Sequence, residues 1–312
     1  MKQTIRPHVV QLEASSHCQL RCPVCPTTLR QIDAPIGRGF LNPDTFARFL
    51  DANPDIRHVE LSNNGEIFLN PGLLAILRLA EARGVTLGAA NGANLNDVRP
   101  SVLEGVVRHR LRFLTCSIDG ATAETYRVYR VRGDFDRVMA NVRTIAAHKR
   151  RLGSPFPVLR WQFVVFSHNV HELPAARALA EEIGMQFTPK LNWDADYAPV
   201  PGMTRAEHRA QTGRDYAGLI CHQLWDSPQV NFDGGMLGCC RNTWGRFGTA
   251  NAFTDGFATA VNSEPMAHAR AMLRGAAAPR EGIPCTTCDL YRDMRASGRF
   301  LRRREDDAGA AG

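Results

Sequence analysis

The sequence predicts an α/β chain in which about six strand–helix units build one parallel sheet, followed by a smaller cysteine-rich segment. Short apolar runs alternate with helical patterns over the first 190 residues, and repeated strand–helix–strand order implies parallel strands joined by crossovers. After Lys190 the texture changes, through a Pro-rich stretch at 197–202 and a polar one at 205–214. Nine cysteines, an odd number, fall in two groups with Cys116 apart. A doubly wound open sheet and a partial barrel both fit this order, and either puts functional loops at the C-terminal ends of the strands.

The elements follow in order. Candidate strands occupy 9–13, 58–62, 86–90, 112–118, 158–166 and 185–190. One helix opens at Asn42-Pro43 and runs through Phe46, Phe49 and Leu50; a second opens at Asn70-Pro71 and runs through Leu73, Leu74, Leu77 and Ala80. Both place a capping Asn before a Pro at the first helical position. Residues 135–151 carry Val138, Val142, Ile145 and Ala146 at helical spacing, and 172–183 reads the same way. From Cys221 the chain is rich in Gly, Asn, Trp and Cys with few strong helix signals, so a boundary is expected within 191–215. The end, 302–312, reads as a disordered tail.

Composition bounds the function. At about 150 residues per domain, 312 residues give roughly two domains. With 44% hydrophobic and 22% charged residues the chain is globular, not disordered, collagenous or coiled coil. The apolar stretch at 73–80 is interrupted by Arg78, and nothing approaches the ~20 residues that span a bilayer. The start, MKQTIRPHVV, lacks an apolar signal core, so a cytoplasmic location and no membrane partner are expected. Lys plus Arg exceeds Asp plus Glu by 38 − 31 = 7. The densest basic runs, 149–151 and 302–304, read as a helix end and a tail, which disfavours a nucleic-acid partner.

Tight cysteine groups without a secretion signal point to metal rather than disulfides. Cys18-x3-Cys22-x2-Cys25 directly follows the first strand. Structural zinc takes four ligands in paired halves, and here only His17 could serve as a fourth. Three thiolates on a four-iron cluster leave one iron open to a small chelating molecule. The second group is Cys221-x12-Gly234-x4-Cys239 followed by Cys285-x2-Cys288. Four thiolates in two pairs suit zinc equally well on spacing alone, so a non-catalytic zinc protein that binds nucleic acid remains a separate reading.

The C-x3-C-x2-C segment resembles the signature of the radical S-adenosylmethionine (SAM) superfamily, and other segments in the same order strengthen the likeness. Asn63-Asn64-Gly65-Glu66 is similar to that family's Gly-Gly-Glu segment, which meets the SAM amino group. Asn91-Gly92 resembles a Thr-Asn-Gly turn. Ser117-Ile118-Asp119-Gly120 resembles a Ser-x-Asp-Gly strand end, and Arg130 matches an arginine near the SAM carboxylate. Alone, Asn64-Gly65 and Asn91-Gly92 are ordinary turns, Glu66 a surface carboxylate, Ser117 and Asp119 helix caps, and Arg130 a solvated helix residue. The likeness covers roughly 8–190. Val24 stands where many members have an aromatic residue near adenine, which implies a weaker adenine contact. Gln162, within the fifth strand, is a further candidate for the cofactor or substrate.

The resemblance implies a partial (β/α)6 TIM-like barrel over 1–200 and a shortened SPASM-type ("twitch") module over 201–301. It implies a SAM-binding [4Fe–4S] cluster on Cys18, Cys22 and Cys25 and an auxiliary [4Fe–4S] cluster on Cys221, Cys239, Cys285 and Cys288. Reductive cleavage of SAM would give a 5′-deoxyadenosyl radical that abstracts a hydrogen atom, with a flavodoxin or ferredoxin as reducing partner. The four-cysteine auxiliary pattern is that of amino-sugar alcohol dehydrogenases in the superfamily, so net two-electron oxidation of a small polar metabolite is the expected reaction. A peptide substrate is the first alternative, weakened because the first strand begins near residue 9 with no room for a peptide-recognition domain before it. Epimerisation with Cys240 as hydrogen donor is the second.

The remaining candidates rest on position. Cys116 reads as a small core residue, and Trp225 and Trp244 as shields of the auxiliary cysteines. Trp161 and Trp193 are packing or pocket residues. His168 and Asn169 end the fifth strand, and Asp194, Asp196 and Tyr197 follow the sixth, where substrate contacts are expected.

Overall fold

Six strands lie where the apolar runs place them: β1 (Val9–Leu12), β2 (His58–Glu60), β3 (Thr86–Ala93), β4 (Phe113–Ser117), β5 (Val158–Val165) and β6 (Gln186–Leu191). Each pairs in parallel with its chain neighbour. The computed structural model describes residues 4–213 and 220–301; the tail expected over 302–312 lies outside them. The sheet has eight strands in the order β6-β5-β4-β3-β2-β1-β7-β8. Its two ends do not pair, so the fold is a partial α/β barrel, open along one side.

The added strands come from the cysteine-rich segment. There β7 (Gln229–Val230) runs parallel to β1, and β8 (Met236–Gly238) turns back antiparallel. The C-terminal segment therefore extends the barrel sheet at its β1 edge, a pairing that no local sequence signal announces.

Helices cover the convex face. They are α1 (Pro43–Ala52), α2 (Leu73–Ala82), α3 (Pro100–Arg108), α4 (Ala123–Tyr129), α5 (Phe135–Leu152) and α6 (Leu173–Ile183). The α1 start is as expected, with Asn42 Oδ1 accepting from the Asp44 and Thr45 amides. The α2 start is not: the helix begins after Gly72, with no side-chain cap. Asn70 is instead buried, donating to the Ala14 and Leu41 carbonyls at 2.7 and 3.0 Å and accepting from the Gly72 amide at 2.7 Å. Its side chain ties two loops together and is no longer available to a helix start.

Beyond β6 lie α7 (Arg205–Thr212), α8 (Gln223–Asp226), α9 (Phe257–Val261), α10 (Glu264–Leu273) and α11 (Asp289–Ser297). The paucity of helix signals after Cys221 misled for the last three. α10 has Pro265 in its first turn and Glu264 beside it, α11 starts directly at Cys288, and α9 is too short to show a period.

Strand parity divides the sheet chemically. Residues paired across parallel strands share a face. Val10, Leu12, Val59, Leu61, Leu87, Leu114, Cys116, Leu159, Trp161 and Phe163 face the helices and form the buried core. The opposite, concave face carries Gln11, Glu60, Thr115, Ser117, Gln162, Thr188 and Lys190. Buried parallel strands are ordinarily apolar on both sides. A polar concave face is the mark of a lumen that receives something.

Candidate active site

The first cysteine loop sits on the C-terminal ends of the strands. Leu20 and Cys22 are buried with Tyr129, Val164 and Phe166, and Cys18, Val24, Cys25, Tyr197 and Ala198 pack against that cluster. A collar from α4, β5 and the loop after β6 thus surrounds the three thiols. Asn94 Nδ2 donates toward Cys18 Sγ at 3.6 Å, and Arg130 Nη1 toward Cys22 Sγ at 3.8 Å. Burial, with Glu66 nearby, pushes the Cys18 thiol up to about 12, and burial raises Cys22 despite Arg130. His17 does not turn to the thiols; its ring lies against Phe40, centroids 4.6 Å apart.

The loop after β2 is clamped against this one. Glu13 is fully buried and accepts from Asn64 N at 2.9 Å, Asn64 Nδ2 at 3.0 Å and Gly65 N at 3.4 Å. Burial still pushes its carboxyl up to about 7. Gly65 is required for steric reasons: a Cβ there would lie 2.1 Å from the Ser15 carbonyl oxygen. Glu66 is 1% exposed, and its oxygens accept from the Phe68 and Asn94 amides. It is a buried connector between β2 and β3 rather than a surface carboxylate. Burial pushes it, too, up to about 7.

Ser117 and Asp119 follow β4. Asp119 is buried, with Oδ2 accepting from Arg130 Nε at 2.6 Å and Oδ1 from Val164 N at 2.7 Å. Arg130 is therefore a buried ion-pair partner, not a solvated helix residue, and it joins β4, α4 and Cys22. Ser117 Oγ abuts Gly92, where a Cβ would stand 2.4 Å away. Asn91 donates to the Ser62 carbonyl at 2.8 Å and to Gln11 Oε1 at 3.3 Å. Gln162 Oε1 accepts from Lys190 Nζ at 3.2 Å.

The second group of cysteines also converges. Cys221, Cys239, Cys285 and Cys288 together line one small cavity of about 20 Å³, closed by Leu224, Trp244, Phe247, Leu273 and Tyr291 among others. Trp244 meets the expectation of a shield. Trp225 does not: it is outside this lining, with the Arg274 guanidinium 4.9 Å from its ring centroid. Among the described residues no group of three or more His, Cys, Asp or Glu side chains is arranged to hold a single metal ion.

Between the two groups opens a cleft of about 540 Å³. Cys25, Asn63, Asn64 and Asn91 line it from the barrel, Lys190 and Trp193 from the β6 end, and Cys240, Arg241 and Trp244 from the cysteine-rich segment. Asn63 Nδ2 donates to the Cys240 carbonyl at 3.1 Å and bridges the two sides. Ile220, Arg241 and Trp244 line both the cleft and the four-thiol cavity, so these share a wall.

Other position-based candidates fall outside the cleft. Asn169 is buried and donates to the Asp119 and Val164 carbonyls, a structural role. His168 stacks on Phe166. Asp194 Oδ1 accepts from the Asp196 and Tyr197 amides in a turn, and Tyr197 packs near Tyr129. Trp161 and Cys116 are core residues. Sequence reading overlooked Lys190 and Arg241. The available signal for Lys190 was its parity with Gln162 on the neighbouring strand end.

No protein-family model matches the chain. An AdoMet-dependent heme synthase of Methanosarcina barkeri (strain Fusaro / DSM 804) is 26% identical over 183 residues, 58% of this chain and 49% of that protein. The match spans about half the length of that relative. SuiB of Streptococcus suis shares the fold at TM-score 0.64 and 13% identity, over 91% of this chain and 71% of SuiB. anSMEcpe, solved with AdoMet and the Cp18Cys peptide, shares it at TM-score 0.56 and 13% identity, over 91% of this chain and 86% of its own. The two solved structures show a shared fold, and the AdoMet dependence in the heme synthase's name agrees with the resemblance of the sequence to radical SAM enzymes. The [4Fe–4S] cluster and SAM that a radical SAM fold implies suit the first thiol loop. Its thiols share one apolar collar, with neutral and cationic donors directed at the sulfurs, the kind of surroundings that tune iron–sulfur centres. No described helix is long and apolar enough to cross a membrane.

Proposed function

We propose that the chain is a radical SAM oxidoreductase acting on a small polar molecule held in the cleft. Cys18, Cys22 and Cys25 would hold the SAM-binding cluster, and Cys221, Cys239, Cys285 and Cys288 an auxiliary one. When bound, the first cluster with SAM would supply a 5′-deoxyadenosyl radical to take a hydrogen atom from a C–H bond, and the second an acceptor for one electron, with a proton released. The observation that carries this reading is the wall of Ile220, Arg241 and Trp244, which puts the four-thiol cavity directly beside the cleft that Cys25 lines.

The remaining tasks fall to this chain's own side chains. Glu13 fixes the Asn64-Gly65 amides, and Glu66 fixes Asn94 beside Cys18. Asn64, Gly65 and Asn91 would present polar groups to SAM, with Ser117, Asp119 and Arg130 ordering the β4 end and Val24 offering an aliphatic contact. Trp193 and Trp244 flank the substrate and limit water. The domain division at about residue 200 belongs to the same proposal, as does a flavodoxin or ferredoxin electron donor.

A peptide substrate is the second reading. SuiB has been solved with its precursor peptide SuiA, and the cleft is wide and open. Cys240 lines it too, which keeps epimerisation in play. Anaerobic incubation of reduced protein with SAM and deuterated candidates separates the three. Deuterium in 5′-deoxyadenosine with an oxidised small product supports dehydrogenation. Solvent hydrogen returned to an inverted centre, lost in Cys240→Ala, supports epimerisation. Transfer from peptides alone overturns the small-molecule reading.

A further inference from the structure

We propose that the cleft recognises an oxyanion on its substrate, a carboxylate or a phosphate, with Lys190 as the residue that sets this specificity. The inference rests on reading the cleft as the substrate site and is independent of the reaction performed there.

Charge in the cleft is one-sided. Its lining includes Lys190, Arg205 and Arg241 and, among the described residues, no Asp or Glu. The carboxylates around it are already engaged. Asp119 is paired with Arg130 at 2.6 Å, and Asp289 with Arg241 at 2.5 Å. Glu60, on the same concave face, accepts at Oε1 from Ser62 N, Ser62 Oγ and Ala90 N.

Lys190 has the most to gain from an anion. It sits half-buried near the end of β6, opposite Val164 on β5. The partner found for its ammonium among the described residues is the neutral Gln162 Oε1, at 3.2 Å. Burial, with Arg205 nearby, outweighs the pull of Cys240 and of the already paired Asp119 and lowers its pKa, because an ammonium withdrawn from water without a directly paired counter-charge is costly. An incoming oxyanion supplies the missing charge and takes up the remaining donors. Arg241 adds a second donor, since its Nε is buried without a partner. Trp193 and Trp244, 39% and 42% exposed, offer ring faces to the body that carries the anion. A neutral polyol would leave the ammonium as it is.

SAM carries a carboxylate of its own, so the test separates the two sources. Benzoate, phenyl phosphate and benzyl alcohol serve as probes in anaerobic equilibrium dialysis against the iron-loaded chain with saturating SAM; SAM affinity is measured separately. Both anions are expected to bind at least about tenfold more tightly than benzyl alcohol. Lys190→Gln should abolish that difference and leave benzyl alcohol and SAM affinities unchanged, while Lys190→Arg should restore it to within about threefold. Equal binding of alcohol and anions by the parent chain overturns the proposal, as does a Lys190→Gln loss confined to SAM. Cleavage of SAM is read in the same preparations. Its failure alongside intact anion discrimination removes the radical reaction and leaves the anion site standing.

Discussion

The Asp119–Arg130 pair decides more than any other contact near the thiols. Both side chains are withdrawn from water, and each is hydrogen-bonded beyond the pair, Asp119 to Val164 N and Arg130 toward Cys22 Sγ. Removing one partner of a buried pair strands the other charge. Asp119→Ala should therefore cost about 3–5 kcal/mol in urea denaturation, whereas Asp33→Ala, which loses solvent-screened pairs with Arg30 and Arg38, should shift the midpoint far less. Glu13 gives a pH signature. Its carboxyl is raised from 4.5 to about 7, so the folded chain holds a proton that the unfolded chain has lost across that window. This contribution is complete below pH 4.5 and is lost as pH rises through about 7. The urea midpoint of metal-free protein should fall between pH 5.5 and 8, and Glu13→Gln should lessen that fall, the remainder coming from Glu66, which burial raises to about 7 as well. Cys18, Cys22 and Cys25 were legible from their spacing after the first strand, and Asp119 and Arg130 from the family resemblance of the segments that carry them. Glu13 went unnamed because its importance comes from burial against a loop 51 positions away, and Lys190 because only its pairing with the neighbouring strand marks it.

At the scale of elements, local chemistry was legible wherever it stayed local. α5 carries its own instructions: Asp134 accepts from the Arg137 amide at its start, basic residues fill its last turn, and Gly153 closes it at φ 59°. Nothing lies within 4 Å of a Cβ at Gly153, so Gly153→Ala should cost only the conformational penalty, about 1 kcal/mol by thermal unfolding. Gly65→Ala should be far worse and of a different kind. Its Cβ would collide with Ser15 backbone, forcing apart the two loops that carry the first thiols and Asn64. SAM affinity should drop more than tenfold while the helical circular dichroism signal is kept. The Asn70-Pro71 start misled because Asn70 is spent on long-range bonds to Ala14 and Leu41. The β7–β8 hairpin went unseen because strands of 2 and 3 residues have no period to read.

Across the whole molecule, one sheet holds both cysteine groups in place. The first group crowns β1–β6, and the second is anchored where β7 joins β1, which brings Cys25 and Cys240 to opposite sides of one cleft. Partial barrel and thiol groups were both readable from residue order. Their meeting across a shared wall was not, because it depends on how loops more than two hundred residues apart come together. Iron content should follow this division: about eight irons in the parent chain and about four in Cys285→Ala/Cys288→Ala, at four per cluster, with SAM cleavage retained in the variant. The most direct test of the central claim is 5′-deoxyadenosine formation from SAM by anaerobically reconstituted, dithionite-reduced protein, compared with Cys22→Ala. The parent chain should form it and the variant should not. Iron-loaded parent protein that leaves SAM intact, or a Cys22→Ala variant that cleaves it equally well, would contradict the account.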